Sequence, residues 1–194
     1  AVAAIQMYNN FRSSSITIPM SFVGYATKAV LILEFSPTII SVVLAGKVGS
    51  YITSSIGTMR VTEQIDALDI MGVNSANLLI LPKILASLVF NPLLIAISIV
   101  FGIWGGYLAG IGTGSWSAAD YITGIQMYMP SHFIWYAFFK TAVFAFLIAT
   151  IPAYFGYNVK GGSLEVGRAS TQAVVWTIVA VIITNLVLTQ MFLS

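Results

Sequence analysis

The sequence predicts an all-α protein that spans a membrane several times. Of its 194 residues, 58% are hydrophobic and only 7% are charged, whereas ordinary soluble domains carry about 25% charged residues. A soluble fold of this size would not bury so much apolar surface. The apolar residues also fall in runs long enough to cross a bilayer, separated by short polar connections. The predicted fold class is therefore an all-α integral membrane protein.

Composition and spacing exclude several classes of function. The net charge of +2 is too small to indicate a nucleic-acid partner, and the absence of cysteine excludes disulfides and thiolate metal sites. The single histidine, His132, excludes a metal site with two histidines. Gly46-Lys47 is followed by Val48, where a phosphate-binding loop needs Ser or Thr. We therefore predict no catalysis, no metal and no cofactor in this chain.

The N-terminal part is predicted to be the end of one membrane helix followed by a loop. Ala1–Tyr8 is apolar but too short to span a membrane, and the sequence begins without methionine. We therefore expect that N-terminal residues are missing. Asn9–Pro19 is polar, contains Arg12, and is typical of a loop. Since nothing indicates a second domain, residues 1–194 are predicted to form one transmembrane domain.

A long apolar region follows, from Met20 to about Gly57. As a helix it would be roughly 55 Å long, against a hydrocarbon core of about 30 Å. It is either one long kinked helix that leaves the membrane or a span followed by a second helical piece. Bends are expected at Pro37 and at the Gly46/Gly49 pair.

Three further membrane spans are predicted, at about Ile84–Leu108, Phe133–Phe155 and Ala173–Phe192. The polar connections between them are Ile111–Ser131 and Gly156–Gln172. Near the end of the first of these spans, glycines recur every four residues on one helix face, where they would let another backbone approach closely. These are Gly102, Gly106 and Gly110. They pack either within the chain or across a dimer.

The stretch Gly57–Gly72 is the most highly charged part of the chain. Four charges fall within ten residues, and helical spacing places apolar and acidic side chains on adjacent faces. The apolar stripe comprises Val61, Ile65, Leu68 and Met71, and the acidic face comprises Glu63, Asp66 and Asp69. Gly72 suits the left-handed conformation that ends a helix. Such a helix either rests on the membrane surface or docks a protein. Its acidity favours docking, because lipid surfaces are often anionic.

Several motifs of the chain resemble one family of membrane proteins. They are Met59–Leu68 (Met-Arg-Val-Thr-Glu-Gln-Ile-Asp-Ala-Leu), Leu44–Ser50, Glu34–Pro37 and Gly102–Gly106. In order and spacing they resemble MlaE/YrbE-type permeases, the membrane subunits of ABC systems that move phospholipids with MCE-domain proteins. The resemblance covers roughly the whole chain. It implies five membrane helices in the complete protein, of which this chain holds four and the tail of the first.

The resemblance also assigns a role to the charged stretch. In the family this segment, here about residues 58–72, is the cytoplasmic coupling helix that fits into a groove of the ATPase. The residues predicted to couple are Arg60, Val61, Glu63, Gln64, Asp66, Leu68 and Asp69. The positive-inside rule also places this segment on the cytoplasmic side of the membrane. The connections at 58–83 and 156–172 hold Arg60, Lys83, Lys160 and Arg168, whereas those at 9–19 and 111–131 hold only Arg12.

Ionisable residues within the apolar runs form a second candidate site. Burying a charge in a bilayer costs at least about 2.5–3.5 kcal/mol, so a partner or a water-filled cavity is expected. Glu34 and Lys140 lie on different spans, and the family resemblance supports both positions. They form either a static salt bridge or a pair that gates or lines the lipid path. The family usually has Arg where this chain has Leu33, and some relatives have an acidic residue at Asn185, which leaves a fuller charge network in doubt.

A lipid pocket would be lined by aromatic and aliphatic groups with few polar ones. The resemblance implies such a pocket near a dimer axis. Its lining residues here would be Ile5, Tyr8, Phe11, Leu31 and Phe35. Sequence alone does not separate these residues from those that face lipid or the protein core.

The leading hypothesis is a permease subunit that works as a homodimer in the inner membrane of a double-membraned bacterium. A cytoplasmic ABC ATPase, with a small STAS-type subunit bound to it, would bind ATP and Mg²⁺ and hydrolyse the ATP. A periplasmic MCE-domain protein would exchange phospholipid with the permease and so maintain outer-membrane lipid asymmetry. One alternative is a secondary transporter driven by an ion gradient through Glu34 or Lys140, although such folds usually show internal repeats. Another is a scaffold that only anchors partners.

Overall fold

The computed structural model describes residues 2–13 and 19–193, and the side chains of all of these except Ala3, Phe11 and Leu193. These ranges form helices and contain no strand, which confirms the all-α fold class. In chain order the helices are α1 (Val2–Ser13), α2 (Ser21–Val61), α3 (Gln64–Ile70), α4 (Ser75–Leu79), α5 (Leu81–Thr113), α6 (Ala118–Gln126), α7 (Ser131–Tyr157) and α8 (Ser163–Leu193).

Four helical stretches in the described ranges are long and apolar enough to cross a membrane, as the sequence predicts. They are Ser21–Val61, Ser75–Thr113, Ser131–Tyr157 and Ser163–Phe192. In the most apolar part of each, at most 44% of the residues are buried within the chain. Most of their apolar side chains are therefore available to lipid or to other subunits.

Helix α2 is continuous over 41 residues, which corresponds to roughly 60 Å. It contains two π-helical turns, Leu31–Phe35 and Ala45–Gly49, close to the positions where bends are expected. The first turn precedes Pro37. Proline lacks a backbone N–H group, and its ring crowds the carbonyl four residues earlier. A wider turn relieves this clash. The second turn contains Gly46 and Gly49, whose missing side chains leave the helix free to widen.

The predicted connection Ile111–Ser131 is not a simple polar loop, because it contains helix α6. Ser117 caps this helix: its Oγ accepts a hydrogen bond from the Asp120 amide at 3.1 Å and donates one to the Asp120 carboxylate at 2.9 Å. The predicted start of the last span was also wrong, since α8 begins at Ser163 rather than near Ala173. Its first ten residues are mostly polar or small, and hydropathy alone places them in a loop.

The stretch 58–72 is not one helix, which corrects the sequence prediction. Residues up to Val61 are the end of α2, a turn follows at Thr62 and Glu63, and the separate helix α3 spans Gln64–Ile70. Glu63 has a left-handed backbone conformation with φ +58°. A helix cannot continue through such a residue, so the predicted acidic face is divided between two elements.

The chain forms two compact units, and α2, α5 and α7 contribute residues to both. The first unit comprises the described residues up to Pro37 together with Leu94–Phe138. At its core, α1, α2 and α6 meet around four buried side chains, Ala4, Val23, Trp116 and Tyr121. Burial raises the pKa of Tyr121 to about 12. Its hydroxyl therefore remains protonated and donates a hydrogen bond to the Ile103 carbonyl at 3.1 Å.

The second unit comprises Thr38–Leu93 and the described residues from Phe139 onward. Its core joins α2, α3 and α7 through the buried side chains of Ile52, Ile56, Ile65, Ala149 and Ala153. Helices α2 and α7 also approach closely: a Cβ added to Gly156 would lie 2.8 Å from the Thr53 carbonyl oxygen. The Thr53 hydroxyl donates a hydrogen bond to the Pro152 carbonyl at 2.9 Å.

Helices α2 and α6 of the first unit touch backbone to backbone at two glycines. A Cβ added to Gly124 would collide with the Ser21 carbonyl oxygen, and one added to Gly24 would collide with the Tyr121 carbonyl oxygen. Both obstacles are main-chain atoms that cannot turn aside as a flexible side chain does. This contact therefore requires glycine on both helices.

We predict that Gly124→Ala destabilises the protein by about 1–3 kcal/mol, because the added methyl group overpacks this contact. The matched control is Gly112→Ala, since a Cβ at Gly112 meets no atom within 4 Å. Thermal unfolding of both variants in detergent provides the measurement. Equal melting temperatures for the two variants would contradict the close approach of α2 and α6.

Candidate functional site

The segment between α2 and α5 begins with a break in the chain at Thr62 and Glu63. The Thr62 hydroxyl donates a hydrogen bond to the Thr58 carbonyl at 2.8 Å, which completes the last turn of α2. Glu63 then adopts φ +58°, a region that residues with side chains rarely occupy. Helix α3 begins at the next residue. Because of this break, α3 is a separate helix that does not continue α2.

One buried side chain fixes α3 to the rest of the second unit. Ile65 has no solvent exposure and packs against Ile52 and Ile56 of α2 and Ala149 and Ala153 of α7. Burying a side chain of this size contributes about 1.5–3 kcal/mol. A seven-residue helix is too short to be stable by itself, so this contact largely determines where α3 lies.

Polar contacts of Arg60 connect the same elements near the surface. Its guanidinium group forms an ion pair with the Asp66 carboxylate and lies 5.8 Å from the centre of the Tyr157 ring. The Tyr157 hydroxyl is hydrogen-bonded to the Ser75 hydroxyl at 3.0 Å. Arg60 and Tyr157 therefore link α2, α3, α4 and α7 around the break. Because the ion pair is partly exposed, it adds only about 0–1 kcal/mol.

The end of α3 presents an apolar surface to solvent. Ile70 is 87% exposed and Met71 is 68% exposed, and Val73 beyond them is also exposed. Gly72 has φ +77°, the left-handed conformation that the sequence predicts for it. The Val73 amide donates a hydrogen bond to the Leu68 carbonyl at 3.1 Å, which closes the helix end as a Schellman motif.

Residues predicted for coupling therefore have different environments. Ile65 of the predicted apolar stripe points into the core, Val61 and Leu68 are half-buried, and Met71 is exposed. Glu63, Gln64, Asp66 and Asp69 are exposed. Sequence reasoning missed Ile70, the most exposed large apolar residue of this segment, because it lies outside the stripe that ideal helical spacing defines.

The intramembrane charges lie in separate units. Glu34 belongs to the π-helical turn Leu31–Phe35 of the first unit and is half-buried. Lys140 of the second unit is fully buried on α7, and its Nζ lies 3.4 Å from the Thr189 hydroxyl of α8. In the same unit, the Thr38 hydroxyl donates a hydrogen bond to the Asn185 side-chain oxygen at 3.2 Å.

A third intramembrane charge, Lys28, binds backbone carbonyl groups. Its Nζ donates hydrogen bonds to the carbonyls of Ile125 at 2.8 Å and Met127 at 2.7 Å, at the C-terminal end of α6. A cation is favourable there because the carbonyl end of a helix carries partial negative charge. Lys28 therefore holds α6 against α2 through main-chain carbonyl groups.

The predicted pocket residues take part in two contacts of the first unit. Ile5 and Tyr8 are half-buried against the aromatic cluster formed by Trp116 and Tyr121, and the Tyr8 and Trp116 ring centres are 5.6 Å apart. Leu31 is buried and faces Gly102, whereas Phe35 is 41% exposed. The side chain of Phe11 lies outside those that the structure describes.

Each of the three glycines predicted for helix packing faces a side chain of its own unit. A Cβ added to Gly102 would lie 3.0 Å from Leu31. Added to Gly106 it would collide with the Tyr121 hydroxyl, and added to Gly110 it would collide with the Trp116 indole nitrogen. The glycine face of α5 therefore accommodates the aromatic cluster.

Comparison with known proteins identifies the family. A family model described as Permease MlaE matches residues 1–191. This chain belongs to the MlaE permease family. A "Probable ABC transporter permease protein" of Rickettsia bellii is 37% identical over 194 residues, which cover 99% of this chain and 73% of the relative. The "Intermembrane phospholipid transport system permease protein MlaE" of Haemophilus influenzae is 30% identical, over 82% of this chain and 61% of that protein.

A plant protein is also similar to this chain. The "Protein TRIGALACTOSYLDIACYLGLYCEROL 1, chloroplastic" of Arabidopsis thaliana is 33% identical over 82% of this chain and 45% of its own length. Together with the four candidate spans, these findings make this MlaE-family chain a multi-pass membrane protein and a permease subunit of an ABC system. They favour the ATP-driven hypothesis over a transporter driven by an ion gradient.

We predict that the permease tolerates Glu63→Gly but not Glu63→Val. Glycine adopts φ +58° without strain, whereas a β-branched residue does not. Glu63→Gly relieves the strain of the left-handed conformation and stabilises the protein by up to about 1 kcal/mol. Glu63→Val destabilises it by at least the same amount. Thermal unfolding in detergent provides the measurement. Equal melting temperatures for the two variants would show that residue 63 is not left-handed.

Proposed function

We propose that this permease moves phospholipids between the inner membrane and a periplasmic MCE-domain protein, using ATP hydrolysed by a separate ABC ATPase. The observation that carries the proposal is family membership across the chain, combined with the exposed surface at the end of α3. The Haemophilus relative named for intermembrane phospholipid transport supports phospholipid as the substrate class.

The exposed end of α3, comprising Asp69, Ile70, Met71 and Val73, is our proposed ATPase-docking surface. Large apolar side chains exposed beside carboxylates are typical of a protein-binding surface. The segment is also too acidic to favour an anionic lipid surface, as Asp66 and Asp69 are both exposed on α3. Docking would bury Ile70 and Met71 in a groove of the partner.

Motion of the ATPase would reach the membrane through the Ile65 contact. Because Ile65 packs against both α2 and α7, α3 cannot shift far without moving the ends of these two helices. Helix α2 continues from this contact through two π-helical turns, one of which contains Glu34. Such turns have weaker backbone hydrogen bonding than a regular helix and are places where a helix can bend.

The lipid path is proposed near the first π-helical turn. There Phe35 is exposed, Leu31 is buried, and Glu34 supplies a single polar group beside them. Ile5, Tyr8 and Phe11 would complete the apolar lining in a homodimer. Glu34 is proposed to gate or line this path.

The complete assembly would be a permease homodimer in the bacterial inner membrane. We propose two ATPase subunits on its cytoplasmic face, each binding ATP and Mg²⁺, with a small STAS-type subunit on the ATPase. The MCE-domain protein would sit on the periplasmic face. In this assembly the permease contributes to outer-membrane lipid asymmetry without hydrolysing ATP itself.

We predict that Ile70→Ser reduces the amount of co-purified ATPase at least tenfold, as expected when a central apolar contact of an interface is lost. The matched control is Tyr128→Ser, because Tyr128 is 80% exposed and lies in the first unit, whereas Ile70 belongs to the second. The measurement is the ratio of ATPase to permease after gentle detergent purification of the co-expressed complex.

Size-exclusion chromatography of the two variants tests whether the permease itself is intact. A wild-type ratio of ATPase to permease in Ile70→Ser would rule out docking at the end of α3. Loss of ATPase in both variants would show that the effect is not specific to this surface.

A further inference from the structure

A polar cavity of about 430 Å³ lies where α7 ends and α8 begins. It is formed entirely by residues of the second unit and is separate in sequence from α3. Its lining includes Tyr154, Asn158, Lys160, Glu165, Arg168 and Gln172. Neither the docking surface nor the lipid path proposed above uses this cavity.

The cavity has a net positive charge, since two cations and one carboxylate line it. Arg168 donates to the Glu165 carboxylate at 2.9 Å, and both side chains remain accessible. Within the described residues, no hydrogen bond or ion pair engages the Lys160 ammonium group. The N-terminus of α8, a helix of 31 residues, adds partial positive charge at the same end. The cavity therefore favours an anion.

The position of the cavity indicates a lipid as the source of that anion. It lies at the ends of two candidate membrane spans, Ser131–Tyr157 and Ser163–Phe192. The ends of membrane-spanning helices are expected near the level of the lipid head groups. Tyr154 in the lining is 66% exposed, and tyrosine is enriched at this level. Basic pockets between membrane helices are typical sites for anionic lipid head groups.

We propose that this cavity binds the phosphate group of an anionic glycerophospholipid through Lys160 and Arg168. The lipid would be a resident one, held at the protein surface beside α7 and α8, and not the transported cargo. The proposal concerns the permease alone and does not depend on the docking or transport roles proposed above.

The test is native mass spectrometry of the purified permease, without ATPase, after equilibration with equal amounts of phosphatidylglycerol and phosphatidylcholine. We expect wild-type protein to retain phosphatidylglycerol preferentially. In the double variant Lys160→Gln/Arg168→Gln, we expect about 25-fold weaker retention, or about fivefold for each charge removed. Arg12→Gln, which removes one positive charge elsewhere, is the control, because exposed Arg12 lies on α1 in the first unit.

A variant with the opposite effect separates binding from misfolding. Glu165→Gln removes the carboxylate that engages Arg168, so retention of phosphatidylglycerol should rise about fivefold. Opposite shifts for Glu165→Gln and the double variant, with no shift for Arg12→Gln, support the site. Equal retention of the two lipids by wild-type protein, or equal retention by all variants, would overturn it.

Two further measurements separate other occupants of the cavity. The first is binding of inorganic phosphate to the wild-type protein and the double variant. If phosphate binding depends on Lys160 and Arg168 while no lipid is retained, the anion is free phosphate and the lipid proposal is overturned. Co-purification of the ATPase with the double variant tests a protein occupant. Loss of the ATPase with unchanged lipid retention would assign the cavity to the partner.

Discussion

The burial of Ile65 is the contact on which the position of α3 depends. Its contribution of about 1.5–3 kcal/mol exceeds the 0–1 kcal/mol expected of the exposed Arg60–Asp66 pair. Helix α3 is too short to persist alone, and the chain turns sharply at Glu63 just before it. The single isoleucine therefore both holds the helix in place and joins it to two membrane-spanning helices. The exposure of Ile70 follows from the same contact, because α3 cannot bury both faces.

Several polar groups within the membrane-spanning helices obey a related constraint. Lipid offers no hydrogen bonds, so a buried donor needs a partner within the protein. Lys28 donates to two backbone carbonyls, the Thr53 hydroxyl donates to the Pro152 carbonyl, and Lys140 lies near the Thr189 hydroxyl. Each of these contacts joins two helices. Polar side chains therefore act together with glycine contacts to fix helix positions where apolar packing alone gives little specificity.

The sequence predicts the membrane class, the four spans and the turn at Gly72 because these depend on local composition and spacing. It does not predict the break at Glu63, because nothing in glutamate's own preferences indicates a left-handed conformation. The exposure of Ile70 was missed for a different reason. It depends on which face of α3 the Ile65 contact buries, and that is a tertiary effect. By contrast, α6 had a readable signal, since Ser117 followed three residues later by Asp120 resembles a capping box.

The measurement that tests the account most directly is phospholipid transport by an Ile65→Ala variant of the complete assembly. Ile65 has no solvent exposure and so makes no contact with the ATPase in our proposal. We predict that transport measured per molecule of bound ATPase falls at least tenfold, because α3 no longer moves α2 and α7. Leu68→Ala, at a half-buried position of the same helix, should retain most transport. Wild-type transport by Ile65→Ala would contradict the proposal that this contact couples the ATPase to the membrane helices.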